Sequence, residues 1–176
     1  MDLDKDTMIY CIGDDVEKNR VGNKAYQLFE LAKLCNVPPL VCMDSEVFWS
    51  LLNLDENTEL MNILNQRFHN KQPEMNKLGD IYDKVVSMYV PQEIICEIHE
   101  TLSKKNIQET YAVRSSSALE DNTYQSGAGL FESYTDIKKE DVVNYIKMCW
   151  AAQFSTKAMG YLEHVNSVAQ LQMGVI

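Results

Sequence analysis

Glycine and proline are scarce, 7 and 4 in a chain of 176 residues, which excludes collagen-like, linker-rich and low-complexity polypeptides. No stretch approaches the roughly 18 consecutive apolar residues of a membrane span. The start, Met1-Asp2-Leu3-Asp4-Lys5-Asp6, lacks the basic end and apolar run of a secretory signal, so a cytoplasmic location is expected. Cations are in deficit, 16 Lys and Arg against 26 Asp and Glu for a net charge of −10, which argues against a nucleic-acid or anionic-membrane partner. Two regular phosphate motifs, GxxxxGK[ST] and GxGxxG, are missing, and no cysteine pair has CxxC spacing. The five cysteines, Cys11, Cys35, Cys42, Cys96 and Cys149, are scattered, four of them in apolar segments, and are expected to be buried free thiols.

What is present is a globular composition, 45% apolar and 24% charged, at a length that suits one domain. Met8 to Ile12 is a short apolar run closed by Gly13-Asp14-Asp15, a buried strand and turn. Val21, Ala25, Leu28, Ala32 and Cys35 recur at helical spacing and predict a helix from Gly22 to about Asn36, stopped by Pro38-Pro39. Leu40 to Met43 reads as a second strand, and Asp44-Ser45 as the cap of a helix through Phe48, Trp49, Leu51 and Leu52. Residues 54–106 are polar-helical, with Pro91 opening a helix that carries Ile94, Ile95, Ile98 and Leu102. Glu109 to Val113 reads as a strand leading into Arg114 and a Ser- and Gly-containing loop that runs to Gly129. Phe131 to Asp136 alternates like a strand, Lys139 to Trp150 and Thr156 to His164 are helical, and Met173 to Ile176 is a last apolar strand. No turn or polar tail closes that strand, so an exposed edge is expected, and unpaired apolar edges recruit partners. The alternation of strands and helices predicts an α/β or α+β domain.

Two segments could carry chemistry. Val21-Gly22-Asn23-Lys24 stands at a helix start, where free N–H groups and the helix dipole favour an anion and Lys24 adds an ammonium; a solvated lysine is the other reading. Ala112 to Asp121, continued by Gln125 to Gly129, offers the Arg114 guanidinium fork, serine hydroxyls and glycine backbone for a phosphate, or else forms a surface loop with Arg114 paired to Glu120 or Asp121. His69, His99 and His164 lie far apart on amphipathic stretches and are expected to pack or be solvated rather than bind metal. Glu120 and Asp121 suit a backbone-holding role better than a magnesium contact, and Trp150 suits the core.

Taken in order, these segments resemble the N-terminal nucleotide-binding domain of the pyruvate phosphate dikinase and phosphoenolpyruvate synthase family, an ATP-grasp fold that also occurs in rifampicin phosphotransferases. Val21-Gly22-Asn23-Lys24-Ala25 through Ala32 is similar to VGGKAxxLxELA and Val37-Pro38-Pro39 to VPPGF. Ala112 to Ser116 with Glu120-Asp121 is similar to AVRSSATAED, Ser126 to Glu132 to SFAGQxE, Cys149 to Ala158 to CWASLFxxRA, and Met173 to Ile176 to the start of MAVVVQ. Asn23, Leu40 and Leu130 depart from that pattern. The resemblance implies an ATP-grasp N-terminal subdomain spanning 1–176 with a helical insert at 54–106. It implies ATP as cofactor, with Lys24 and Arg114 on its phosphates, Ser115 and Ser116 shaping the site, and Gly129, Leu130 and Ser133 in the loop above. Mg2+ ligands, the C-terminal ATP-grasp half and a phosphohistidine domain are expected outside these residues, so the chain alone is expected to be inactive. In the longer relatives ATP phosphorylates a catalytic histidine and then pyruvate. A rifampicin-phosphotransferase-like enzyme and a non-catalytic or split interaction module are the alternatives.

Overall fold

The computed structural model describes residues 9–69, 78–104, 110–117, 132–165 and 173–176. Its strands are β1 (Ile9–Cys11), β2 (Val41–Met43), β3 (Tyr111–Ser117), β4 (Ser133–Ile137) and β5 (Met173–Val175). Its helices are α1 (Lys18–Ala32), α2 (Ser45–Leu52), α3 (Thr58–His69), α4 (Leu78–Val86), α5 (Gln92–Lys104), α6 (Val142–Ala152) and α7 (Thr156–Val165). The mixed α/β class predicted above is observed.

Local chemistry sets several boundaries. The Asp44 carboxylate accepts the Glu46 N–H at 2.8 Å and caps α2. The Pro91 carbonyl accepts the Ile94 and Ile95 N–H groups at 3.1 and 3.2 Å and opens α5. Asn57 ties the helices together, donating to the carbonyls of Leu51 (2.8 Å) and Tyr89 (2.9 Å). α1 departs from its predicted limits. It ends at Ala32, and its buried stripe is Val21, Ala25 and Phe29, while Leu34 and Cys35 are exposed.

All five strands form one sheet in the order β1-β2-β5-β3-β4, with every neighbouring pair antiparallel. The expected exposed edge at Met173 to Ile176 is therefore overturned. β5 lies between β2 and β3, with Val175 opposite both Met43 and Ser115, and Arg114 and Ile176 exchange two backbone hydrogen bonds at 2.8 Å. Residues far apart along the chain supply its neighbours, which a local strand pattern does not reveal. β3 is also longer than expected. It continues through Arg114 to Ser117, so Ser115 and Ser116 are strand residues rather than loop residues.

The sheet has two unlike faces. On one, α2 to α6 and Phe154 build a large apolar cluster around Phe48, Leu51, Leu52, Leu64, Ile81, Val85, Ile98, Val113, Ile146, Trp150 and Val175. On the other, α1 covers a small cluster of Tyr10, Val21, Ala25, Phe29 and Cys42, with Leu40 and Ile176 packed against it. The cysteines divide in a way their apolar surroundings did not predict: Cys42 and Cys149 are buried, Cys11 is half-buried, and Cys35 and Cys96 are exposed. All five are free thiols. Among the described residues no helix is long and apolar enough to cross a membrane.

Candidate functional site

α1 changes direction at Gly22, whose φ of 79° and ψ of 170° lie in a region that only glycine occupies readily. The positive φ thus falls on Gly22 and not on Asn23, which is buried and has an ordinary backbone, so the departure at Asn23 costs no strain there. A β-carbon on Gly22 would fall inside the Ser116 carbonyl and 2.6 Å from its hydroxyl oxygen. Gly174 makes the matching approach on β5, where a β-carbon would meet the Val21 carbonyl oxygen at 2.5 Å. Two glycines therefore let the start of α1 lie directly on the central strands.

Lys24 follows this contact. Its Nζ donates to the carbonyl of Ser115 at 3.3 Å, which places the ammonium beside the residue next to Arg114. The Ser115 N–H and hydroxyl both turn to the Glu132 carbonyl, at 3.5 and 3.2 Å, so Lys24 reaches the seam between β3 and β4. Burial pushes the Cys149 thiol up to about 12, while the Lys24 ammonium acts on it in the opposite direction and the Glu132 carboxylate raises it.

Arg114 and Ser133 are direct cross-strand partners, so their side chains leave the same face of the sheet as close neighbours. Strand alternation puts Ser116 on that face too, and Ser116 touches α1. The structure therefore brings Lys24, Arg114 and Ser133 together at one seam. Arg114 is exposed and has no ion pair among the described residues. A guanidinium fork, a hydroxyl and an ammonium are all hydrogen-bond donors, and two of the three are cationic, so the chemistry of this seam suits anionic oxygens.

Ser115 and Ser116 stand differently. Both are fully buried, the first with its hydroxyl on Glu132, the second with its hydroxyl on the Ala25 N–H at 2.9 Å. Neither presents a free hydroxyl to solvent. Gly129 and Leu130 lie outside the described residues, as do Glu120 and Asp121. Among the described residues no group of three or more His, Cys, Asp or Glu side chains could hold a metal ion.

A groove of about 560 Å3 adjoins Arg114, walled by Leu28, Leu40, Val41, Ala112, Val142 and Ile176. Its walls are apolar, so phosphate oxygens are better served at the Arg114 rim than inside it. Sequence reasoning overlooked Gly22 and Gly174 as the residues that make the seam possible. Their signal is a demand for close backbone approach, which becomes visible only when the opposing strand is known.

The model of the pyruvate phosphate dikinase AMP/ATP-binding domain matches residues 18–176. A rifampicin phosphotransferase of Bacillus cereus is 29% identical over 157 residues, covering 84% of this chain and 18% of its own length. Another, from Bacillus subtilis, is 28% identical over 173 residues, 92% of this chain and 20% of its own. The Methanothermobacter thermautotrophicus protein named probable phosphoenolpyruvate synthase is 32% identical over 114 residues, 61% of this chain and 17% of its own. The chain spans about a fifth or less of the length of these relatives.

Proposed function

The chain belongs to the pyruvate phosphate dikinase AMP/ATP-binding domain family, and from that premise we propose that it is the phosphate-holding part of an ATP-dependent phosphotransferase. Lys24 and Arg114 neutralise the polyphosphate of ATP and Ser133 donates a hydroxyl beside them; Gly129 and Leu130, assigned to the same ligand, lie outside the described residues. The observation that carries this is the seam itself: the Lys24 ammonium sits 3.3 Å from the carbonyl next to Arg114, and Arg114 pairs across the strands with Ser133. Such cations act by positioning and charge neutralisation, which are the main protein contributions to phosphoryl transfer.

ATP would supply the phosphoryl group, and Mg2+, held by carboxylates outside these residues, would share its charge. We read the arrangement as of the ATP-grasp type, with the insert at 54–106 contributing α3, α4 and α5 to the far face of the sheet. In a longer protein the phosphoryl group would pass to a catalytic histidine and then to pyruvate. The rifampicin phosphotransferases among the relatives make an antibiotic acceptor the second reading. Acceptor choice lies outside this seam in either case.

Calorimetric titration with ATP and with inorganic tripolyphosphate, each with Mg2+, tests the assignment. Arg114→Ala is expected to weaken tripolyphosphate binding by about tenfold or more, the scale of one lost charge-assisted contact. Equal affinity in the two proteins would overturn it.

A further inference from the structure

We propose that Ser116 is a positioning residue for this phosphate seam, acting through the turn of α1 that follows Gly22 rather than by touching the ligand; the inference rests on Lys24 and Arg114 as the phosphate cations.

Gly22 breaks α1, and the helix starts again behind it. A restarted helix leaves its first N–H groups without partners inside the helix, and these usually find a neighbouring side chain in the adjoining sequence. Here no side chain can cap from the usual place: the non-helical residue just ahead of the restart is Gly22, which has no side chain. The acceptor comes instead from 91 residues away, where the Ser116 hydroxyl takes the Ala25 N–H at 2.9 Å.

The consequence for Lys24 is geometric. Two residues before it, Gly22 lies against the Ser116 backbone; one residue after it, Ala25 hydrogen-bonds the Ser116 side chain. Lys24 is thus held between two contacts to the same strand residue. That residue is two positions from Arg114 on a strand whose Arg114 backbone is itself fixed by two hydrogen bonds to Ile176. Ser116 sets where the Lys24 ammonium falls relative to the Arg114 guanidinium, and a phosphate chain spanning both cations reads that spacing.

The test is a double-mutant cycle on tripolyphosphate affinity, using the full 176-residue chain with Mg2+. Ser116→Ala is expected to weaken binding by roughly fivefold to tenfold, the scale of a lost helix cap. In a Lys24→Ala background the same substitution is expected to change affinity by less than about twofold, because its effect runs through Lys24. A full effect of Ser116→Ala in that background, or no effect in the parent, would sink the proposal. If Lys24→Ala and Arg114→Ala leave binding unchanged, the phosphate assignment itself fails, a separate outcome. Should Ser116→Ala not fold by circular dichroism, Ser116→Cys, which keeps the buried shape with a weaker acceptor, enters the same cycle, with the same two results against it.

Discussion

The two faces of the sheet use different means to hold their helices. The broad face is an ordinary apolar core, where Phe48 packs against Trp49, Trp150 and Phe154 at ring separations of 5.3, 5.5 and 6.0 Å. The narrow face buries few side chains and relies on close backbone approach at Gly22 and Gly174 and on polar contacts: Ala25 N–H to Ser116, Lys24 to Ser115, and Arg20 to Asp44 at 2.6 Å. Apolar packing tolerates small shifts because it has no preferred direction, whereas a backbone contact through glycine has none to spare. The seam proposed to hold phosphate lies on the narrow face, where positions are most tightly specified.

That contrast makes a sharp demand. Gly22→Ala adds one carbon to the narrow face, yet it meets the Ser116 carbonyl in a backbone region closed to alanine. It is expected to cost about 5 kcal/mol or more, comparable to the whole stability of a marginal domain. Denaturant titration measures this, and a loss under about 2 kcal/mol would show that the seam has slack its geometry does not reveal.

Phe48→Ala removes a whole ring from the broad face and is expected to cost less, about 3–4 kcal/mol, because Trp49, Trp150 and Phe154 can close part of the cavity. Where enough protein remains folded, its tripolyphosphate affinity should match that of the parent. A larger loss than for Gly22→Ala, or a binding defect in the folded fraction, would break the division between a packing face and a positioning face.

The same division explains what could be read from the sequence. The helices of the broad face announce themselves because burial of one stripe leaves a period of 3.6, as at Ile94, Ile98 and Leu102 in α5. Lys24 and Arg114 were visible as cations in suggestive company, but nothing local could place them together. The serines misled for a physical reason. Three in succession suit turns and exposed loops, and they occupy a buried strand here because Gly22 and Ala25 press on that strand from far along the chain. The central place of β5 was equally hidden, since both of its neighbours are remote in sequence.

The smallest effect belongs to the outer end of the narrow face. The Tyr10 hydroxyl donates to the buried Asp44 carboxylate at 3.1 Å, and burial first, with Asp44 second, pushes the Tyr10 phenol up to about 12. A phenol that stays protonated in the folded chain, but ionises near 10 when unfolded, leaves stability untouched below pH 10. Above that, the unfolded state loses the proton first, and stability falls as the pH climbs from about 10 toward 12. Cys149, on the broad face and held up to about 12 mainly by burial, begins the same decline from its lower starting value of 9.0. Tyr10→Phe should cost about 1 kcal/mol at neutral pH for the lost hydrogen bond. It should also flatten only the upper part of the alkaline decline, leaving the onset set by the thiols. Thermal unfolding of the two proteins between pH 8 and 11.5 separates these contributions. If Tyr10→Phe leaves the whole profile unchanged, the phenol titrates alike folded and unfolded, and the narrow face is not dry at its Asp44 end.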